Sequence, residues 1–137
     1  MKLLDRDTHV KGLLRLIDPD EKDRMVRAFE TKKGRTKWLH KRLAHSVKMH
    51  PHYSSEVPRG ERDEESIVNA LRKFGAPEEC YVIASDHEVD DSFQSLSLLL
   101  KLRYAEFGHG TIFSCRPGKL ALFKTAFPYK SIIVRRE

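Results

Sequence analysis

The dipeptide Pro117-Gly118 lies between two apolar segments, residues 110–115 (GTIFSC) and 119–125 (KLALFKT). Proline followed by glycine is typical of a type II turn, because proline fixes its own φ and glycine accepts the positive φ that follows. The pattern therefore predicts an antiparallel β-hairpin. Two further apolar segments, 80–84 and 131–136, are predicted strands, so the C-terminal half is expected to contain a small, mostly antiparallel sheet.

The N-terminal half is predicted to be helical. Apolar residues recur at helical spacing in the first helix, about 8–17. In the second helix, Asp18 is the expected N-cap and Pro19 the first helical residue, with Glu21 reaching back to the cap.

Two more helices are predicted before the first strand. Gly34 is expected to interrupt the second helix, and a third helix is predicted over about 36–49. A fourth helix is predicted to begin near Glu61 and to end before Gly75, a residue type that commonly caps helix C-termini.

Residues 91–107 are predicted to form one more helix, buried on most sides. Asp90, Asp91 and Ser92 are expected to cap its N-terminus. Its side chains at Leu96, Leu99, Leu100 and Phe107 are expected to pack against the sheet. The predicted fold class is therefore α+β, with three short N-terminal helices, a fourth helix, and a C-terminal sheet crossed by this buried helix.

The chain has 137 residues, enough for one ordinary domain. Residues 51–60 (PHYSSEVPRG) contain two prolines, two serines and a glycine and are interpreted as a linker-like loop. The predicted organisation is a helical basic segment over 1–50 and an α+β domain over 61–137. A single compact domain over 1–137 is the alternative.

The net charge of +6 is unevenly distributed. Residues 1–60 have 15 Lys and Arg against 8 Asp and Glu, whereas residues 61–137 have 11 against 12. Residues 32–50 carry seven Lys and Arg and no carboxylate, and residues 61–91 carry ten carboxylates against three basic residues. A basic patch attracts polyanions such as nucleic acid. The acidic stretch is an alternative partner within the fold.

The favoured function is nucleic-acid binding through the third helix, without catalysis. Its basic side chains are expected to contact phosphates, and its tryptophan to contribute stacking. A loose similarity to a helix-turn-helix arrangement is consistent with this function. The predicted binding residues are Lys33, Arg35, Lys37, Trp38, Lys41, Arg42 and Lys48.

A catalytic alternative comes from the segment SDHEVDD (85–91), which follows a predicted strand. Asp86, Glu88 and Asp90 offer oxygen ligands for Mg²⁺, and His87 offers a general base. His109 and Lys119 offer acid–base chemistry and charge stabilisation of the kind that cleaves RNA. The alternative is therefore a small metal-dependent or RNase-like phosphodiesterase.

No resident metal or cofactor is expected. His40, His45 and His50 are five residues apart, so on a helix they point in different directions and do not converge on one ion. A third functional hypothesis is a protein-interaction module of the antitoxin or immunity type, whose acidic 61–91 surface binds a basic partner. The absence of a long apolar segment predicts no contact with a membrane and a cytoplasmic location.

Overall fold

The structure is a computed structural model that describes residues 6–43, 45, 47–58, 60, 63–85, 89–96, 110–125 and 130–136. It confirms the α+β fold class. The helical elements are α1 (Arg6–Leu13), α2 (Pro19–Ala28), α3 (Lys32–Trp38), a π-helical turn (Leu39–Leu43) and α4 (Glu64–Lys73). The strands are β1 (Ser54–Glu56), β2 (Glu79–Ala84), β3 (Ser92–Ser95), β4 (Thr111–Arg116), β5 (Leu120–Lys124) and β6 (Ser131–Arg135).

The strands form one sheet in the order β1-β6-β5-β4-β2-β3, and all of its neighbouring pairs are antiparallel. β4, β5 and β6 follow one another in both chain and sheet. β2 pairs with the other side of β4, and β3 forms the edge beyond it. β1 forms the opposite edge, so the N-terminal and C-terminal halves share one sheet.

The predicted hairpin is confirmed by the pairing of β4 with β5, in which Phe113 lies opposite Leu122. The Lys119 N–H donates to the Arg116 carbonyl at 2.9 Å and closes the turn. Gly118 has φ +72°, which the third position of a type II turn requires.

Both faces of the sheet are buried at the central strands β2, β4 and β5, and successive residues of each strand face opposite sides. Tyr81 and Ile83 of β2 belong to the core beneath α1, α2 and α3. Cys80 and Val82 belong to a second core beneath α4. Because neither face of β2 meets solvent, its sequence is a continuous apolar run, as in other strands covered on both sides.

Local capping accounts for two helix starts and one helix end. Asp18 caps α2 as predicted, since its carboxylate accepts the Asp20 N–H at 3.0 Å. Asp63 caps α4 by accepting the Ser66 N–H at 3.0 Å, and it also accepts the Ser66 hydroxyl at 2.7 Å. The hydroxyl hydrogen bond, followed by the N–H hydrogen bond, lowers the pKa of Asp63. Gly75, with φ +94°, follows α4 at the predicted C-terminal end.

The prediction of an uninterrupted α-helix over 36–49 is wrong. α3 begins earlier because Thr31 is its N-cap and accepts the Gly34 N–H, so Gly34 lies inside the first turn and does not separate two helices. From Leu39 the helix widens to π-helical geometry. The Val47 N–H donates to the Arg42 carbonyl, five residues earlier, at 3.0 Å.

The prediction of a helix beginning at residue 91 is also wrong. Residues 92–95 form strand β3, in which Phe93 lies opposite Tyr81 of β2. Asp90, Asp91 and Ser92 are therefore not helix caps; Asp91 has φ +57° and forms part of the turn that reverses the chain. Leu96 is buried as predicted. Residues 97–109, with Leu99, Leu100 and Phe107, lie outside the described residues.

The segment 51–60, interpreted as linker-like, contains strand β1. Ser54, Ser55 and Glu56 pair with β6, and Val57 after them is buried in the α4-side core. In the part of the chain that the structure describes, no helix is long and apolar enough to cross a membrane.

Leu71 tests the α4 side of the fold because its side chain is completely buried between α4 and the sheet. Leu71→Ala should lower the free energy of unfolding by about 2–5 kcal/mol, from lost apolar contact and the cavity left behind. Chemical denaturation measures this change. Val26→Ala, at a side chain that is 43% exposed on α2, is the control and should stay within about 0.5 kcal/mol of the parent. Equal effects of the two changes would contradict the placement of α4.

Candidate nucleic-acid interface

The basic segment, defined here as residues 32–48, comprises α3, the π-helical turn and the chain that follows. Four of its predicted binding residues are exposed: Lys33, Lys37, Lys41 and Lys48. Among the residues that the structure describes, no carboxylate lies within ion-pair distance of these four lysines. Within the described part of the chain, these four charges therefore have no acidic partner.

The other three predicted binding residues are held inside the fold, two of them by one buried carboxylate. Glu21, only 4% exposed, accepts a hydrogen bond from Trp38 Nε1 at 2.9 Å. It also accepts two from Arg42, with Nη2 to Oε1 at 2.5 Å and Nε to the same oxygen at 3.2 Å. The hydrogen bond to Glu21 raises the pKa of Arg42 despite some desolvation.

These contacts correct the predicted role of Glu21. It does not reach back to the N-cap of α2; it joins α2 to α3 and to the π-helical turn. The Trp38 ring is 3% exposed and packs edge-on against Phe29 at 5.3 Å between ring centres. Trp38 therefore offers no free face to a nucleic-acid base in this arrangement.

Arg35 joins the basic segment to the sheet. Its Nε and Nη2 donate to the two carboxylate oxygens of Asp90 at 3.0 and 2.8 Å, a bidentate pair. Nη2 also donates to the Tyr81 hydroxyl at 3.2 Å, and the guanidinium lies 4.6 Å from the Phe29 ring centre. Burial opposes the charge of Arg35, but the Asp90 contacts outweigh it and leave the pKa raised.

The same network extends across β2 to the N-terminal helix. The Tyr81 hydroxyl donates to Asp91 at 2.6 Å, and Asp91 accepts from Arg6 of α1 at 2.9 Å. Burial, together with the hydrogen bond to Asp91, raises the pKa of Tyr81, so the phenol stays protonated. Asp90 additionally accepts the Ala84 N–H at 3.0 Å. Asp90 and Asp91 are therefore structural partners of arginines in this arrangement.

The lysines do not form the single straight stripe that a continuous α-helix would produce. Lys33 and Lys37 are four residues apart and share one side of α3. Lys41 lies in the π-helical turn, where each residue rotates the chain by a smaller angle, and Lys48 lies beyond it. The four lysines share an exposed segment whose shape is set by the bend after Trp38.

The residues proposed for catalysis are not assembled by the described part of the structure. Asp86, His87, Glu88 and His109 lie outside the described residues. Lys119 is exposed beside the β4–β5 turn, whereas Asp90 binds the backbone of Ala84, which pairs with Thr111 at the other end of β4. β4 is six residues long, so its two ends, and with them Lys119 and Asp90, lie about 17 Å apart. Among the described residues, no group of three metal-binding side chains is present.

The sequence analysis did not identify Glu21 and Asp90 as the carboxylates that pair with cations of the basic segment. A signal for Glu21 exists: it precedes Met25 by four residues and therefore shares the buried side of α2. A carboxylate on a buried helix side needs a donor, and α3 and the π-helical turn offer several, including Trp38 and Arg42. The pairing of Arg35 with Asp90 joins residues 55 positions apart and has no local signal.

Glu21→Gln tests whether one carboxylate holds the basic segment. Glutamine keeps an oxygen that can accept from Trp38 but removes the charge opposite Arg42. The free energy of unfolding should therefore fall by about 1–3 kcal/mol. Trp38 is the only tryptophan, so its fluorescence reports the change directly in a denaturation experiment. Asp23→Asn, at an exposed carboxylate of the same helix, should shift stability by no more than about 0.5 kcal/mol. Identical stabilities of Glu21→Gln and parent would rule out this role.

Comparison with known proteins adds no family to this picture. No protein-family model matches the chain, no curated protein matches it significantly, and no solved structure matches it significantly. Any function is therefore inferred from the side chains of this chain alone.

Proposed function

We propose that this protein binds nucleic acid through the exposed lysines Lys33, Lys37, Lys41 and Lys48. The observation that carries the proposal is the division of the basic segment into two groups. Its arginines at 35 and 42 are paired with the carboxylates of Asp90 and Glu21, and these four lysines have no carboxylate partner among the described residues. Exposed cations of this kind bind phosphates and release the counterions that surround them.

The internal contacts favour binding because they order the segment in advance. Arg35 is fixed to the sheet and Arg42 to α2, so the backbone that carries the lysines does not need to become ordered on binding. Ordering of side chains and loops is a cost of association, and a preformed surface avoids part of it. The lysine side chains themselves are exposed and are long enough to adapt to the phosphate spacing.

Among the described residues, the alternative that the acidic stretch 61–91 neutralises the basic segment applies only to Arg35. Asp90 pairs with Arg35, Asp91 with Arg6, and Glu78 with Arg72. Asp63 caps its own helix. Across the described carboxylates of this stretch, none pairs with the four lysines. The lysines therefore keep their charge available to an external polyanion.

The chemistry of the surface indicates contacts to the phosphate backbone more than to base edges. Lysine is a point charge without the planar fork that lets arginine recognise one base in a bidentate manner. The two arginines that have this fork are occupied internally, and Trp38 is buried. We therefore expect weak dependence on base sequence. A cytoplasmic location, where nucleic acids are abundant and the buried thiols of Cys80 and Cys115 remain reduced, belongs to the same proposal.

The double variant Lys37→Gln/Lys41→Gln tests the proposal. Affinity for a labelled oligonucleotide, followed by fluorescence anisotropy over a range of salt concentrations, should fall with salt. The log–log slope should be about −0.9 per phosphate contact on a duplex and about −0.7 on a single strand. The variant should bind more weakly and should flatten that slope by roughly one to two units, because each lysine removes about one contact. Its stability should change by less than about 0.5 kcal/mol.

The matched control is Lys11→Gln/Lys22→Gln, which removes the same charge from exposed positions of α1 and α2. It should leave the slope unchanged. Binding that is absent from the parent at low ionic strength would disprove the proposed function, and so would equal losses in the two double variants.

A further inference from the structure

A second concentration of positive charge lies at the end of the sheet where the β4–β5 turn meets the C-terminus of α4. Five basic residues line a concave site of about 480 Å³ there, together with Phe74: Lys73, Arg116, Lys119, Arg135 and Arg136. None of the described residues that line it is acidic. The volume falls within the range of about 300–1,000 Å³ that is usual for small-molecule sites. We call this site the basic cleft.

The backbone brings these residues together from four elements. Arg116 ends β4, and Lys119 follows the turn whose closing hydrogen bond it donates. Arg135 ends β6 opposite Leu120, and the Arg136 N–H donates to the Lys119 carbonyl at 2.8 Å. Lys73 is the last residue of α4. The positions of all five are therefore fixed by regular structure and by turns.

Two of the guanidinium groups are also positioned by packing. The Arg135 guanidinium lies 4.1 Å from the centre of the Phe74 ring, a cation–π contact. The Arg116 side chain crosses over Gly75, where a Cβ atom would lie 3.4 Å from Arg116 Nη1. That is an ordinary van der Waals distance, so glycine is needed at position 75 for its φ of +94°, which ends α4, and not for space.

Four of the five charges in the basic cleft have no carboxylate partner among the described residues. Lys73, Arg116, Lys119 and Arg136 have no carboxylate within ion-pair distance there. Arg72, next to Lys73 in the chain, does have one, because it pairs with Glu78 at 3.0 Å. The acidic side chains of this region are therefore used just outside the cleft.

Fold stability alone does not account for this arrangement. The C-terminus of a helix carries about half a negative charge, which one nearby cation is enough to balance. The remaining like charges repel one another and work against the compact state. Four converging cations that have no carboxylate partner among the described residues are an arrangement that a multiply charged anion would stabilise.

We propose that the basic cleft binds an oligophosphate, the shared chemistry of inorganic polyphosphates and nucleoside polyphosphates. Arginine matches phosphate oxygens with pairs of parallel N–H donors, and lysine adds a point charge. A single carboxylate or a single phosphate would leave most of the cations at Lys73, Arg116, Lys119 and Arg136 unbalanced. The cleft is compact, so a short chain of phosphates fits it better than an extended backbone does. This inference is independent of the proposed nucleic-acid binding.

The test is isothermal titration calorimetry of the whole chain with inorganic tripolyphosphate at low ionic strength, compared with Arg116→Gln/Lys119→Gln. Both side chains are exposed, so the variant should remain folded, which thermal unfolding would verify. Affinity for tripolyphosphate should fall by about tenfold or more, the effect of losing one charged hydrogen bond.

Titrations with ATP and with orthophosphate identify the source of the phosphate groups. Equal affinity for tripolyphosphate and ATP indicates recognition of phosphates alone, and tighter ATP binding indicates a nucleotide. Orthophosphate should bind much more weakly than either.

Control variants separate this inference from the proposed function. Lys37→Gln/Lys41→Gln and Lys11→Gln/Lys22→Gln should each leave tripolyphosphate affinity unchanged. The proposal is overturned if the parent does not bind tripolyphosphate, or if all three double variants weaken binding equally, since the effect would then be one of net charge. It is also overturned if Arg116→Gln/Lys119→Gln weakens only oligonucleotide binding, because the cleft would then belong to a nucleic-acid surface.

Discussion

The buried carboxylate of Glu21 is the contact on which the arrangement of the N-terminal half depends. It binds the indole N–H of Trp38 and the guanidinium of Arg42, so it joins α2 to α3 and to the π-helical turn through side chains. A buried charge must be paired and hydrogen-bonded, which makes the positions of Trp38 and Arg42 obligatory rather than optional. With those two side chains inward, the lysines between and beyond them point outward. The exposed charge of the segment is thus a consequence of its buried charge.

The bidentate pair of Arg35 with Asp90 joins the helical layer to the sheet, as Glu21 joins the helices to one another. α3 lies against one face of the sheet, and Asp90 belongs to the turn between β2 and β3. Through Tyr81 and Asp91 the contacts continue to Arg6 of α1. The acidic residues after β2, which suggest a catalytic loop when read as sequence, include two that hold helices to the sheet. Within one basic segment, the arginines are consequently paired inside the fold, whereas the four lysines have no carboxylate partner among the described residues.

Local signals in the sequence were sufficient where structure is determined locally. The Pro117-Gly118 turn, the Asp18 cap and the Gly75 helix end each follow from the conformational preference of one or two residues. Strand β3 was missed because the apolar residues after it suggested a helix, whereas pairing with β2 determines residues 92–95. The bend at Leu39 and the short strand β1 likewise depend on partners distant in the chain. Composition identified the lysines of the basic segment, but only three-dimensional pairing separates them from Arg35 and Arg42. The basic cleft has no signal in the composition, because its five basic residues are dispersed in a half of the chain with almost no net charge.

The division of cations into paired and exposed groups is tested most directly by two single substitutions on α3, Arg35→Met and Lys37→Met. Both remove one positive charge, two residues apart, and the measurement is unfolding free energy together with oligonucleotide affinity of the folded protein. Arg35→Met should lower the unfolding free energy by about 3–5 kcal/mol, because it leaves Asp90 without its partner, and should alter affinity little. Lys37→Met should leave stability within about 0.5 kcal/mol and should weaken binding. Equal stabilities of the two variants, with the same loss of affinity in each, would contradict the division.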